Sequence, residues 1–573
     1  MKRHEFAALG ADADIDFQSI RFDHEPSADE RANPPARHPV VVVGAGPVGM
    51  ALAIDLAQRG VPVVLLDAEG SLSTGSRAIC FAKRTLEVFD RLGCGDRMAG
   101  EGVSWNLGKV FFRDAEVYRF NLLAEAGHRR PAFINLPQYR VEGHLAQRAA
   151  ALPLVDLRWH HKVVGIEPHA GHAVLRVETP AGVYALVAEH VVACDGSRST
   201  LRSLLGLQAE GRVFRDRFLI ADVTMAVDFP AERWFWFDPA FHPNQSVLLH
   251  KQPGGLWRID FQLGWEADPE REKRPANIVP RVRALLAHSP MKDAGFELVW
   301  ASVYTFACTR MASFRHGRVL FAGDAAHGVS PFGARGANSG VQDADNLGWK
   351  LALVARGQAP EALLQSYAVE REYAADENIR HSTRATDFIT PKSEISRVFR
   401  DAVLELSGRF EFARTLVNSG RLSVPTVLDG SPLNTPVAGP ANPLTRPGAA
   451  AVDAPLTLVG GQPGWLLAQL GDGFTALVGS GTAADGTARI ARDAAASVVP
   501  MRVLTVWPAA AAGLGSDDVI DHDGLIAERY GLRPGTLVLL RPDHHVCARW
   551  HDASAGDVRQ ALRRALALPP EAS

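Results

Sequence analysis

Val40–Val43 is an unbroken β-branched run, the pattern of a strand buried on both faces of a parallel sheet. Val48–Arg59 follows with helical spacing, and Val61–Asp67 reads as a second strand. This β-α-β unit opens a doubly wound sheet, which the strand-like runs Val187–Ala193 and Arg318–Ala322 complete after long excursions. The expected nucleotide-binding domain is therefore discontinuous. Between its pieces, Arg217–Gln262 alternates apolar and polar positions around aromatic residues, as in Arg233-Trp-Phe-Trp-Phe237 and Leu256–Leu263. Period two predicts a half-buried antiparallel sheet, the candidate substrate face. Helical spacing resumes at Asn338–Ala355 and Pro360–Tyr373, and Gly430–Pro447, rich in Pro, Gly and Asn, reads as a linker. Beyond Leu456, the runs Phe474–Val478, Ser497–Val506 and Thr536–Leu540 with helical Asp557–Leu566 predict a small α/β unit. The expected division is an arm at 1–37, a nucleotide-binding domain at 38–427 with a substrate domain inserted at about 104–137 and 210–310, a linker at 428–455 and a third domain at 456–573.

Composition narrows the function classes. The chain has 573 residues, more than one hydrophobic core usually supports. A formal net charge of -3, with 22% charged residues and no basic stripe, argues against nucleic acid as a partner. Cys80, Cys94, Cys194, Cys308 and Cys547 are scattered and form no CxxC pair, so neither a disulfide framework nor a metal site is expected. Reduced thiols suit a cytoplasmic protein. Segment 1–37 lacks the apolar region of a signal peptide and reads as a mobile arm. The apolar stretch Val40–Ile54 stops at Asp55, short of the ~18 residues that suggest a membrane span.

Gly44-Ala-Gly-Pro-Val-Gly49 is a GxGxxG turn between the first strand and helix. Gly44 makes the turn, Gly46 lets backbone approach a pyrophosphate, and Gly49 lets helix pack on strand. Pro47 precedes and Val48 opens the helix, whose N-terminus carries partial positive charge. Asp67, followed by Ala68, ends the next strand and is placed to accept ribose hydroxyls. This turn alone does not separate FAD from NAD.

Two further motifs do. Val191-Val-Ala-Cys-Asp-Gly-Ser-Arg-Ser-Thr-Leu-Arg202, containing Asp195 and Gly196, resembles the DG fingerprint of flavoprotein aromatic hydroxylases. Gly317–His327, followed by Pro331, Gly333, Gly336, Asn338 and Gln342–Leu351, resembles their GD fingerprint. From about residue 38 to 400 the chain is similar to the para-hydroxybenzoate hydroxylase family of class A flavin monooxygenases. That resemblance implies FAD as cofactor, with Gly323 and Asp324 at its ribityl chain. It also implies flavin contacts from Pro331, Gly336, Ala337 and Asn338, and FAD-contacting segments at Arg77 and Gln138. NADH or NADPH is then the co-substrate, dioxygen the oxidant, and a small activated aromatic compound the substrate, hydroxylated through a flavin 4a-hydroperoxide. The Val303–Phe306 segment and the extra C-terminal unit look closest to the 3-(3-hydroxyphenyl)propionate and phenol hydroxylase subgroup. Gly535–Asp543 and Val546–Trp550 resemble the thioredoxin-like domain of phenol hydroxylases, without a CxxC, so the unit is read as structural or as a subunit interface, which leaves a homodimer open. Arg335 departs from the Gly-Gln-Gly-Met-Asn that many relatives carry in its loop.

Each residue has a plainer reading. Asp195 can cap the segment that leads into the next helix, and Arg77 can be a surface arginine. Tyr304 and His250 are candidates to orient or deprotonate a phenol, and equally ordinary residues of a strand core. Arg258 can meet a substrate carboxylate or pair with Asp260. His327 is given no chemistry. Two other functions stay open: oxidation of a pyridine or polyketide ring, and a non-catalytic FAD-binding sensor.

Overall fold

The computed structural model describes residues 1–9, 15–74, 78–417, 422–437, 442–481, 484–511 and 513–570. It is a mixed α/β fold with several sheets. In the first sheet, strand Ala36–Val43 lies parallel to Val63–Leu66 on one side and to Gly182–Ala193 on the other. Val319–Phe321 continues it in parallel, so segments nearly 300 positions apart share one sheet. Val40, Val41 and Val42 are fully buried, each such side chain contributing roughly 1.5–3 kcal/mol of transfer free energy. The expected strand Val61–Asp67 is shorter, because Pro62 has no N–H to give the ladder. Val155–Arg158 also joins this sheet, and its alternating Val-Asp-Leu-Arg gave no sign of that burial.

The aromatic region forms a seven-stranded sheet, antiparallel except where Arg233–Phe237 runs parallel to Leu107–Phe112. Alternation gives it two different faces. Trp234, Trp236, Leu249, Trp257 and Ile259 pack against helix Pro275–Ala287 as one core. Phe237, Leu248, Phe218 and Val110 point the other way, towards Phe332 and helix Ala362–Ile389.

The C-terminal part, from Pro455 on, forms another mixed seven-stranded sheet, in which Phe474–Gly479 pairs with Met501–Trp507 and Thr536–Leu540. Its seam with the body is apolar where Trp349 meets Phe474 edge to face at 5.9 Å. Elsewhere the seam is ionic, and its four central charged side chains satisfy one another. Glu370 accepts from Lys350 at 2.7 Å, from Arg541 at 2.5 Å and from Asn346 at 2.7 Å, and Arg541 also holds Asp543 at 2.6 Å. The side chains of Lys350, Glu370, Arg541 and Asp543 have no exposed surface. The stretch read as a linker contributes to this seam, with Leu428 and Leu433 buried and Ser431 Oγ donating to Glu370.

The N-terminal segment, expected as a mobile arm, is tied to the body. Phe6, Phe17 and Phe22 are buried in the main core, and Phe22 stacks on Trp159 at 4.3 Å. Three aromatic rings supply the apolar area that its mixed charges conceal in composition. Among the described residues no helix is long and apolar enough to cross a membrane.

Candidate active site

The three motifs meet at the carboxyl edge of the parallel sheet. Gly44 has φ +104°, and a Cβ there would lie 2.4 Å from the Cys194 carbonyl oxygen, so the turn requires glycine. Gly46, the residue before helix Pro47–Gln58, has open space on its Cβ side, which is the approach a pyrophosphate needs. Asp67 accepts from the amides of Ala45 at 2.6 Å and Glu69 at 2.8 Å, and burial pushes its carboxyl up to about 6 against those bonds. Both carboxylate oxygens, expected at ribose hydroxyls, thus already hold backbone N–H groups. Ala68 beside it is exposed.

Asp195 shows its plain role and more. Its Oδ2 accepts from the Leu201 amide at 3.0 Å, capping the short helix Thr200–Leu204, while its Oδ1 is buried without a partner. Gly196 follows at φ +78°. Val48 lies against Gly323, where a Cβ would come within 2.9 Å of it. Strand Val319–Phe321 runs into the turn Gly323–Ala325, which presents Asp324 at the surface. His327 is structural: its Nε2 meets the fully buried Asp343 at 2.7 Å, and Arg371 holds the other oxygen of Asp343. An orphaned carboxylate oxygen, an exposed acid at a strand end and an open helix N-terminus fit a cofactor with a ribityl chain and a pyrophosphate.

The loop 331–335 leads to helix Gly336–Ala355, whose first N–H groups lack helical acceptors. Pro331 is exposed, Gly336 and Ala337 are half-buried, and Ala334 adopts φ +51°. Asn338 spends its side chain on the protein, accepting from the Ala82 amide at 2.8 Å and donating to the carbonyls of Cys80 and Ala334. A flavin contact from it is left to its backbone. Gln138 accepts from the Ala78 amide at 3.0 Å and donates to Glu142, anchoring the segment that precedes it in space. Arg77 lies outside the described residues.

Beyond the loop is a cavity walled by Phe235 and Phe237 from the aromatic sheet, Phe332 and Arg335 from the loop, and His381 and Ile389 from helix Ala362–Ile389. Arg233 also reaches it. Tyr304 and His250 do not line this cavity. Tyr304 stands at the end of strand Phe296–Tyr304, 6.4 Å from Trp300. His250 is buried on the cavity side of its strand with Nε2 3.4 Å from Asp260 Oδ2, and burial lowers its pKa against that contact, favouring the neutral ring. Arg258 does not pair with Asp260: it is bidentate to Asp222, at 2.8 Å through Nε and Nη2. Asp222 is one strand over in direct register, a relation that spacing along the chain hides. Arg233 was missed by motif reading because it stands alone in an aromatic run. Its only signal was a charge at a period-two position facing the same way as Phe235 and Phe237.

Fold and site together define a nucleotide-cofactor protein with an aromatic-walled cavity beside the cofactor cradle. The family described as "FAD binding domain" matches residues 37–382, more than half of the chain, and the chain belongs to that family, with FAD as its cofactor. It is 29% identical over 380 residues to a 3-(3-hydroxy-phenyl)propionate/3-hydroxycinnamic acid hydroxylase of Mycolicibacterium smegmatis, covering 65% of each chain, just under two thirds of that protein. It is also 29% identical over 563 residues to 6-methylpretetramide 4-monooxygenase of Streptomyces rimosus, covering 93% of this chain and 94% of that one. In fold it is similar to the flavin-dependent monooxygenase PieE, solved with FAD and substrate, with TM-score 0.78 at 23% identity over 93% of this chain and 99% of that one.

Proposed function

We propose that the protein is an FAD-dependent monooxygenase that hydroxylates a phenolic or otherwise activated aromatic ring, using NADH or NADPH and dioxygen. The observation that supports this most is the aromatic-walled cavity, which adjoins the loop of the third motif at Phe332, Gly333 and Arg335. Related hydroxylases and monooxygenases match on both sides of that loop. The balance is one aromatic C–H, one dioxygen, one NAD(P)H and one proton giving the phenol, NAD(P)+ and water. Bound FAD supplies hydride acceptance and oxygen activation. The chain's own residues do the rest: Gly44, Gly46, Pro47, Val48 and Gly49 admit the pyrophosphate, and Asp67, Gln138, Asp195, Gly196, Gly323 and Asp324 frame the cradle. The backbone of Pro331–Asn338 would hold the flavin. Phe235, Phe237 and Phe332 exclude water from the substrate. Neither His250, which faces Asp260 behind the cavity wall, nor Tyr304 lines the cavity, so no proton transfer is assigned to either.

The domain reading is part of the same proposal: a discontinuous Rossmann-like FAD-binding domain, an interleaved substrate sheet and a thioredoxin-like C-terminal domain. The last is structural, since Cys547 is buried with its thiol pushed up to about 12 by burial. A polyketide ring is the second reading of the substrate, favoured by the end-to-end match to the Streptomyces monooxygenase. Screening phenols, phenolic acids and polycyclic phenols for accelerated NAD(P)H oxidation, with mass detection of one added oxygen, tests both. Oxidation without an oxygenated product from any of them contradicts the proposal.

A further inference from the structure

The sheet face that looks towards the cavity carries three buried basic side chains. Two have internal partners: Arg258 is bidentate to Asp222, and His250 faces Asp260. The third, Arg233, does not. It is 8% exposed, forms no ion pair among the described residues, and its Nη1 is buried without a hydrogen-bond partner. Trp234 opposite Leu249 sets Arg233 beside His250, and His250 is opposite Arg258, so the three stand in one row across neighbouring strands. A guanidinium cannot shed its proton to escape burial, so an unpaired one implies a partner that arrives from outside. The other ionisable groups of the cavity it lines are Arg335, His381 and the phenol of Tyr118, and no carboxylate stands among the described lining residues. Such walls favour an anion.

Resting on the reading of the site as an aromatic hydroxylase, we infer that the substrate carries an anionic oxygen group received by Arg233, with the charge of Arg335 adding to its attraction. A carboxylate and a phenolate share this chemistry. Arg233 is then a specificity-determining residue, since it selects charge at the ring's periphery and takes no part in oxygen transfer.

The test uses the FAD-loaded protein, 3-hydroxybenzoate, 3-hydroxyphenylacetate and the carboxamide of each, with binding followed by flavin absorbance. Each acid is expected to bind at least about tenfold more tightly than its carboxamide, the scale of one charged hydrogen bond. Arg233→Met should erase that preference and Arg233→Lys should retain part of it, with FAD content and thermal midpoint confirming folding. Should the Met variant lack FAD, Arg233→Gln carries the same comparison. If acids and carboxamides bind alike at neutral pH, but carboxamide binding tightens as the phenol ionises and Arg233→Met abolishes the gain, the anion is the phenolate and the inference stands. If neutral phenols bind and are hydroxylated with no dependence on ligand charge or on Arg233, as an internal Arg233–Asp260 pair would give, the inference fails and the hydroxylase reading survives. If no aromatic compound of either charge binds or gains oxygen, both fall.

Discussion

Two buried charged regions of this protein look alike in burial and differ in closure. At the C-terminal seam, Lys350, Glu370, Arg541 and Asp543 satisfy one another and their neighbours. On the cavity face, Arg233 Nη1, His250 Nδ1 and Asp260 Oδ1 are buried without partners. Desolvation is costly for both, but only the four seam side chains recover it among themselves. Closure therefore separates charge that holds two parts together from charge that waits for a ligand.

The largest effect should come from opening the closed region. Glu370→Ala removes the shared acceptor of Lys350, Arg541, Asn346 and Ser431, and should cost about 3–5 kcal/mol in denaturant unfolding. A loss within about 1 kcal/mol would erase the contrast with the cavity face. Acid should act in the same direction, because burial alone would raise the Glu370 carboxyl while Arg541 and Lys350 hold it far below its ordinary range. Its stabilisation is complete above the ordinary carboxylate range and fades as pH falls below it.

Lys350 gives the opposite slope. Burial pushes its ammonium down to about 8 against the pull of Glu370, whereas in the unfolded chain it titrates near ~10.4. Between those values the unfolded state binds more protons, so stability should rise with pH from about 8 to about 10. Lys350→Met should flatten that rise in a pH series of unfolding curves.

At the cofactor edge the same contrast applies on a smaller scale. Asp324→Ala should weaken FAD retention by at least about tenfold, roughly 1.4 kcal/mol. Asp195→Ala should lose about 1 kcal/mol of stability, since Oδ2 is a helix cap, and retain more FAD than Asp324→Ala. Equal FAD content in both variants would refute the division between them.

Local pattern carried much of this fold. Val40–Val43, the turn at Gly44–Gly49 and the alternation around Arg233–Phe237 each fix a neighbourhood by burial and period, and each folds as its pattern implies. Arg335, conspicuous in sequence as a departure, reaches the cavity wall. What sequence hid were relations across the sheet or the chain. Arg258 turns to Asp222 because antiparallel register puts them opposite, and Arg541 meets Glu370 across 171 positions. The arm at 1–37 was misread because a few well-spaced phenylalanines outweigh its polar average once they find a groove. Arg233 was invisible for the converse reason: its importance is a missing partner, which only the folded surroundings reveal.

The most direct measurement compares Arg541→Met with Arg233→Met in parallel unfolding experiments without substrate. Arg541 lies in the closed network, so its loss strands Glu370 and Asp543 and should cost about 3–5 kcal/mol. Arg233 has no internal partner to strand, so its replacement should leave stability unchanged or raise it. A fall for Arg233→Met as large as that for Arg541→Met would contradict the account, because Arg233 would then be part of the fold's own framework and its cavity would not be waiting for an anion.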